Sequence, residues 1–198
     1  CDFCYVDFHH QKIQDKTYDI VKKAISLGFN IITFGGGDAF SKRTFRESCK
    51  LAKKNGLFTQ VDTNGISITD SDFFFIENYV DLLGISLDGV GEIHNNMRKL
   101  KGLFSKVNNI LHKTNETNTS IKINTILTKR NSDCIYDLYK YLKQFNHIKR
   151  WSIYQFFPLS AARKNQELFE IRDDEFESSL DILDQQEKRF SIEKFRYS

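Results

Sequence analysis

The sequence has no apolar run near the roughly 18 residues that a membrane-crossing helix requires, which argues against a membrane protein. No signal peptide opens it. Hydrophobic residues make up 40% and charged residues 28%, the balance of a soluble globular chain, and the predicted localisation is cytoplasmic. Cysteine is too sparse for a disulfide framework, the four being Cys1, Cys4, Cys49 and Cys134 in 198 residues. Charge of one sign is also short: the formal net charge is +3 and lysines are scattered among acids, so neither nucleic acid nor a membrane is a predicted partner. Proline occurs once, at Pro158, and methionine once, at Met97. Because the first residue is Cys1 and not Met, an upstream segment is expected.

What is present is an alternation of two periodicities. Apolar residues from Tyr18 to Leu27 recur at helical spacing, and Gly28 closes that run. Residues 29–34 are almost continuously apolar, which predicts a strand covered on both faces, and they run into Gly35-Gly36-Gly37-Asp38. Helices are predicted over 41–55, 69–79, 100–113 and 132–145, the last with Ser132 as its N-cap. Strands are predicted over 57–62, 80–87, 120–127 and 150–157, the last stopped by Pro158. Such alternation implies parallel pairing through right-handed crossovers. The predicted fold class is α/β, a partial (β/α)6 TIM-like barrel of parallel strands whose first strand precedes Cys1 and is missing from this chain. Residues 1–160 form the predicted core. Residues 161–198 form a helical extension, with an acidic amphipathic helix from Asp173 to Lys188 and a stretch from Phe190 that could start another strand. That extension either closes the barrel mouth or leads into an auxiliary domain.

The residues that could carry chemistry gather at the predicted strand ends. Cys1-Asp2-Phe3-Cys4 is a soft-metal clip with three open readings: a zinc site shared with His9 and His10, surface thiols, or an iron–sulfur cluster shielded by its aromatic neighbours. Cys49 and Cys134 read as small buried or half-buried thiols. Gly36 and Gly37 would let backbone approach a ligand closely, with Asp38 meeting a cationic group; the bland alternative is a tight turn. The segment lacks the lysine of a P-loop and the spacing of a dinucleotide fingerprint. Ser86, Asp88 and Arg98 follow another strand, and Asn64 and Asn124 sit near two more. Each alone reads as a turn or cap, but together they would line one mouth. His9, His10, Tyr154 and Gln155 are polar groups that could face a substrate.

In order, these motifs resemble the radical S-adenosylmethionine (radical SAM) superfamily over about residues 1–160. Cys1, Phe3 and Cys4 look like the second cysteine, the aromatic and the third cysteine of its cluster loop, the first cysteine being expected upstream. Gly36-Gly37-Asp38-Ala39 stands where the family has Gly-Gly-Glu-Pro. Thr63-Asn64-Gly65, Ser86-Leu87-Asp88-Gly89 with His94 and Arg98, residues 121–125 and residues 151–158 look like the later strand ends. The subgroup resembled is either viperin-like, acting on a nucleotide, or of the SPASM type that modifies peptides.

The resemblance implies an enzyme whose N-terminally truncated radical SAM core holds a 4Fe-4S cluster through Cys1 and Cys4. It implies S-adenosylmethionine bound by Phe3, Gly36, Gly37, Asp38, Asn64, Ser86, Arg98 and Asn124. Phe3 would lie near the adenine, and Gly36, Gly37 and Asp38 at the methionine amino group. Ser86, Asn124 and Arg98 would meet ribose or carboxylate. Reductive cleavage would give a 5′-deoxyadenosyl radical that takes hydrogen from a small-molecule or peptide substrate, with electrons from a donor such as flavodoxin or ferredoxin. The competing readings are a catalytically inactive SAM-like binding module, motivated by the departure at Asp38-Ala39, and a structural zinc-site protein. A chain without the first cluster cysteine is expected to bind a cluster poorly and to expose a sheet edge.

Overall fold

The computed structural model describes residues 1–4, 6, 15–187 and 189–197. In chain order the elements are α1 (Thr17–Ser26), β1 (Ile31–Phe34), α2 (Phe45–Lys54), β2 (Phe58–Thr63), α3 (Phe73–Tyr79), β3 (Leu82–Ser86), α4 (Glu92–Arg98) and α5 (Leu103–Thr114). They continue with β4 (Ser120–Leu127), α6 (Ile135–Leu142), β5 (Ile148–Gln155), α7 (Gln166–Phe169), α8 (Asp173–Asp184) and β6 (Ser191–Phe195). The six strands form one sheet in sequence order, and every neighbouring pair is parallel. The predicted α/β alternation is therefore the architecture found.

Strand periodicity gives the sheet two unlike faces. Val61, Leu83, Ile85, Ile121, Ile123, Trp151 and Ile153 are fully buried and join helix residues such as Cys49, Ile76, Val107, Leu138 and Leu180 in one core. The alternate residues are mostly polar and turn the other way. Asp62, Gly84, Lys122 and Arg150 stand in one register row across β2 to β5, and Ser86, Asn124, Ser152 and Glu193 in the next across β3 to β6. One face thus builds the core, and the other builds a polar lumen.

Several expectations are revised. Residues 29–34 are not covered on both faces: Phe29 and Ile31 are about 60% exposed, and among the described residues β1 pairs with β2 alone. Three predicted helices begin with a 3-10 turn or a short loop, because Ala39–Ser41, Asp70–Asp72 and Ser132–Cys134 are single 3-10 turns. Ser132 makes no side-chain cap; Asn131 instead accepts from the Thr128 amide and hydroxyl at 2.8 and 2.7 Å. The short helix α4 was not anticipated. The stretch from Phe190 that could start another strand does so, as β6 paired with β5, and Phe176, Leu180, Leu183 and Phe190 lie in the same core as the sheet.

Candidate cofactor site at the strand ends

The carboxyl ends of β1 to β5 surround a cavity of about 600 Å³ lined by Cys1, Phe3, Cys4, Gly36, Gly37, Asp38, Asn64, Ser86, Arg98 and Asn124. These are the ten residues singled out as metal or cofactor ligands from the sequence. Val6, Asp62, Thr63, Ile126 and Tyr154 complete the lining.

The N-terminal turn is closed by the Cys4 amide donating to the Cys1 carbonyl at 3.1 Å, which sets both thiols on one short loop. Cys1 is exposed and Cys4 half-buried, and neither is in a disulfide. Contacts with later parts of the chain hold this loop down, among them an ion pair between Asp2 and Lys99. Phe3 packs edge-on against Phe169 with ring centres 5.6 Å apart, the Arg98 guanidinium lies 5.0 Å over the Phe3 ring, and Asn165 donates to the Asp2 carbonyl at 2.9 Å. Phe3 therefore both lines the cavity and belongs to a small core with Met97, Phe156, Ala162 and Phe169. Its partners Phe169 and Ala162 come from beyond residue 160.

Gly36 and Gly37 have φ of 83° and 66°, a backbone region that a side chain disfavours, and a Cβ on Gly36 would meet nothing within 4 Å. Their backbone is thus open to the cavity. Asp38, expected to meet a ligand cation, lines the cavity and is also engaged by the protein. Its Oδ1 accepts from the Thr63 hydroxyl at 2.7 Å and its Oδ2 from the Ser67 amide at 3.1 Å, and the residue is buried. Asp38 ties the end of β1 to the loop after β2.

Arg98, also in the lining, is likewise engaged by the protein. Its Nε and Nη2 donate to Oδ2 and Oδ1 of Asp88 at 2.5 and 3.2 Å, so the fork expected to hold a ligand carboxylate grips a protein one. The cause is burial: Asp88 is almost wholly inside and needs a cation, and its Oδ1 also accepts from the Ile126 amide at 3.0 Å. His94 packs beside this pair, its Nδ1 accepting from the Asp88 amide at 3.1 Å. Burial depresses His94 from 6.5 to about 4, Asp88 opposing the shift and Arg98 adding to it.

Asn64 accepts from the Ile66 amide at 2.8 Å as a turn residue would, while still lining the cavity. Asn124 donates to Asp62 Oδ1 at 3.1 Å, and its own Oδ1 is buried without a partner among the described residues. Asp62 was not among the predicted residues, since alone in a strand it reads as an ordinary outward polar residue. Tyr154 faces the lumen as expected. Gln155 does not: one step along the strand it points to the opposite face, donating to Ile171 O and Asp173 Oδ1. His9 and His10 lie outside the described residues. Among the described residues no third His, Cys, Asp or Glu joins Cys1 and Cys4 as a metal-ligating group.

A parallel α/β sheet whose strand ends ring one cavity, with a pair of thiols on a loop beside it, has the architecture of a partial barrel of the TIM type. The Radical SAM superfamily profile matches residues 1–142, and the chain belongs to that superfamily. An S-adenosylmethionine-dependent nucleotide dehydratase of Lacinutrix mariniflava is 29% identical over 91% of this chain and 41% of its own length. Streptococcus suis SuiB bound to S-adenosylmethionine superposes over 98% of this chain and 47% of its own, with a TM-score of 0.79 at 17% identity. The native anSMEcpe structure with bound AdoMet and Kp18Cys peptide covers 97% of this chain and 59% of its own, with a TM-score of 0.74 at 22% identity. The chain therefore spans roughly half the length of these proteins.

Proposed function

We propose that the chain is the core of a radical SAM enzyme that binds a 4Fe-4S cluster and S-adenosylmethionine in the cavity at the strand ends. The observation that carries this is the convergence on that one cavity of two thiols, an open glycine backbone and an orphaned acceptor on Asn124. The residues fit the two groups. Thiolates are the ligands of such clusters, and Cys1 and Cys4 supply two of the three needed. Gly36 and Gly37 leave backbone open to the methionine amino group, and the buried Asn124 oxygen calls for a donor such as a ribose hydroxyl. When bound, the pair supplies a 5′-deoxyadenosyl radical formed at the expense of one electron from a donor such as flavodoxin or ferredoxin.

The protein's own residues hold and orient. Phe3, Phe169 and Asn165 fix the cysteine loop, Asp38 braces the glycine turn, and Arg98 neutralises Asp88 beneath it. The lumen below informs the substrate. Lys122 is buried at 7% exposure, bonded to the Tyr154 hydroxyl at 3.2 Å and facing no carboxylate among the described residues. Arg150 by contrast is paired with Glu193 at 3.3 Å. A buried ammonium without a counter-ion favours a substrate with an anionic group, a nucleotide phosphate or a peptide carboxylate. Anaerobic reconstitution tests the cofactor reading. The full-length protein should take up about four irons with equal labile sulfide per cluster and bind S-adenosylmethionine; stoichiometric zinc without sulfide would refute it.

A further inference from the structure

We propose that Lys99 is a positioning residue for the cysteine loop: it holds and neutralises Asp2 between the two thiols, which makes the cluster easier to reduce. This rests on the cluster reading above. Lys99 closes α4 in the left-handed region, with φ of 54° and ψ of 39°, its amide and that of Leu100 donating to the carbonyls of Asn96 and Asn95. Such a closure favours glycine, and a lysine there is strained. Among the described residues one other non-glycine has a positive φ, Ser160 at 50°, which opens the 3-10 helix Ser160–Asn165. Both strained residues bear on Asp2. The Lys99 ammonium is ion-paired with the Asp2 carboxylate, and Asn165, at the end of the helix that Ser160 opens, donates to the Asp2 carbonyl at 2.9 Å. Strain of this kind survives where the rest of the structure enforces it, and it gathers at functional sites. A glycine at position 99 would close α4 without strain but would bring no ammonium to Asp2.

The charges around the loop explain what the ammonium does. Asp2 sets a carboxylate between two thiols that become thiolates when they hold iron. Cys1 Sγ lies 4.0 Å from the Arg98 carbonyl, an acceptor at the negative end of α4. Carboxylate and carbonyl both resist the addition of an electron to a cluster, whose potential follows the charge and hydrogen bonding around it. Arg98 does not offset them, because its guanidinium is committed to Asp88. Lys99 does: with it the Asp2 charge is balanced, and without it the loop carries one uncompensated negative charge. The pair is partly open to water, Lys99 at 62% and Asp2 at 31% exposure, so screening limits the effect to a few-fold.

The test is a redox titration of the anaerobically reconstituted full-length protein, with the reduced cluster read by electron paramagnetic resonance, beside thermal melting of the cluster-free protein. Lys99→Gly should lower the ratio of reduced to oxidised cluster at a fixed potential about threefold, the scale of an exposed ion pair. Its melting temperature should hold or rise, because the left-handed closure is then unstrained. Lys99→Arg should keep the ratio. Asp2→Asn should raise it, and adding Lys99→Gly to Asp2→Asn should return it close to wild type. A ratio unmoved in both Lys99→Gly and Asp2→Asn, or lowered as far by Lys99→Arg as by Lys99→Gly, would overturn the proposal and leave the cluster reading standing. So would a lower melting temperature in Lys99→Gly with the ratio intact, since Lys99 would then serve the fold alone. If Lys99→Gly holds too little cluster to titrate, the direction of the shift in Asp2→Asn decides. If the wild type takes up no iron–sulfur cluster, the cluster reading itself fails and the proposal falls with it.

Discussion

At the scale of single residues, the cysteines divide by environment. Burial pushes the Cys49 thiol up to about 12, its Sγ lying 3.2 Å from the Tyr79 carbonyl, whereas Cys1 is exposed and Cys4 half-buried. Only the thiolate is nucleophilic, so iodoacetamide at pH 8 should label Cys1 and Cys4 in the native protein and reach Cys49 only after denaturation; mass mapping of labelled peptides checks this. Spacing and pattern were enough to separate these thiols in the sequence. They were not enough for Asp38, whose Thr63 and Ser67 partners are remote in the chain, or for Asp62, whose setting exists only when Gly35 and Gly84 come alongside. Gln155 was a different failure: strand alternation already forbids it from sharing a face with Tyr154.

The buried histidines belong to the same scale and predict a pH dependence. His94 and His147 are both depressed from 6.5 to about 4, desolvation being the main cause for each. Between those values the unfolded chain binds protons that the folded one refuses. The stability they contribute is thus complete above pH 6.5 and is lost as pH falls toward 4, on the order of 3 kcal/mol for fully buried His94. Urea denaturation from pH 7.5 to 4 should show this slope, and His94→Gln should flatten it. A slope unchanged by that substitution would assign the acid sensitivity elsewhere.

At the scale of elements, α7 and the 3-10 helix before it, Ser160–Asn165, carry more than their length suggests. Phe169, 1% exposed, closes the small core over Phe3, and Asn165 pins the backbone between the two cysteines. Phe169→Ala should cost about 3–5 kcal/mol in that core. Its more telling effect should be lower iron retention after gel filtration, while Phe195→Ala, altering a 43% exposed side chain, should leave retention unchanged. Helix and strand types were legible from periodicity. The helix starts were not, because 3-10 turns share the helical pattern, and α4 is too short for periodicity to mark it. Nor does the sequence reveal that the segment after Pro158 doubles back onto the cysteine loop, since Phe3 and Phe169 meet only in the folded chain.

At the scale of the whole molecule, one alternation organises both stability and chemistry. The apolar set of strand residues faces the helices, and the polar set lines a lumen that opens at the strand ends into the cavity of Cys1, Cys4 and Asn124. The parallel order and that mouth followed from strand–helix repetition, while β6 joins the sheet with Phe190 packed edge-on against Trp151, a contact remote in the chain. The most direct measurement is anaerobic turnover of the reconstituted full-length protein with dithionite and S-adenosylmethionine, with 5′-deoxyadenosine quantified by chromatography. Release of 5′-deoxyadenosine that requires reductant and is abolished by Cys4→Ala is the predicted result. A protein that holds the cluster and S-adenosylmethionine yet releases none, or that releases as much after Cys4→Ala, would contradict it.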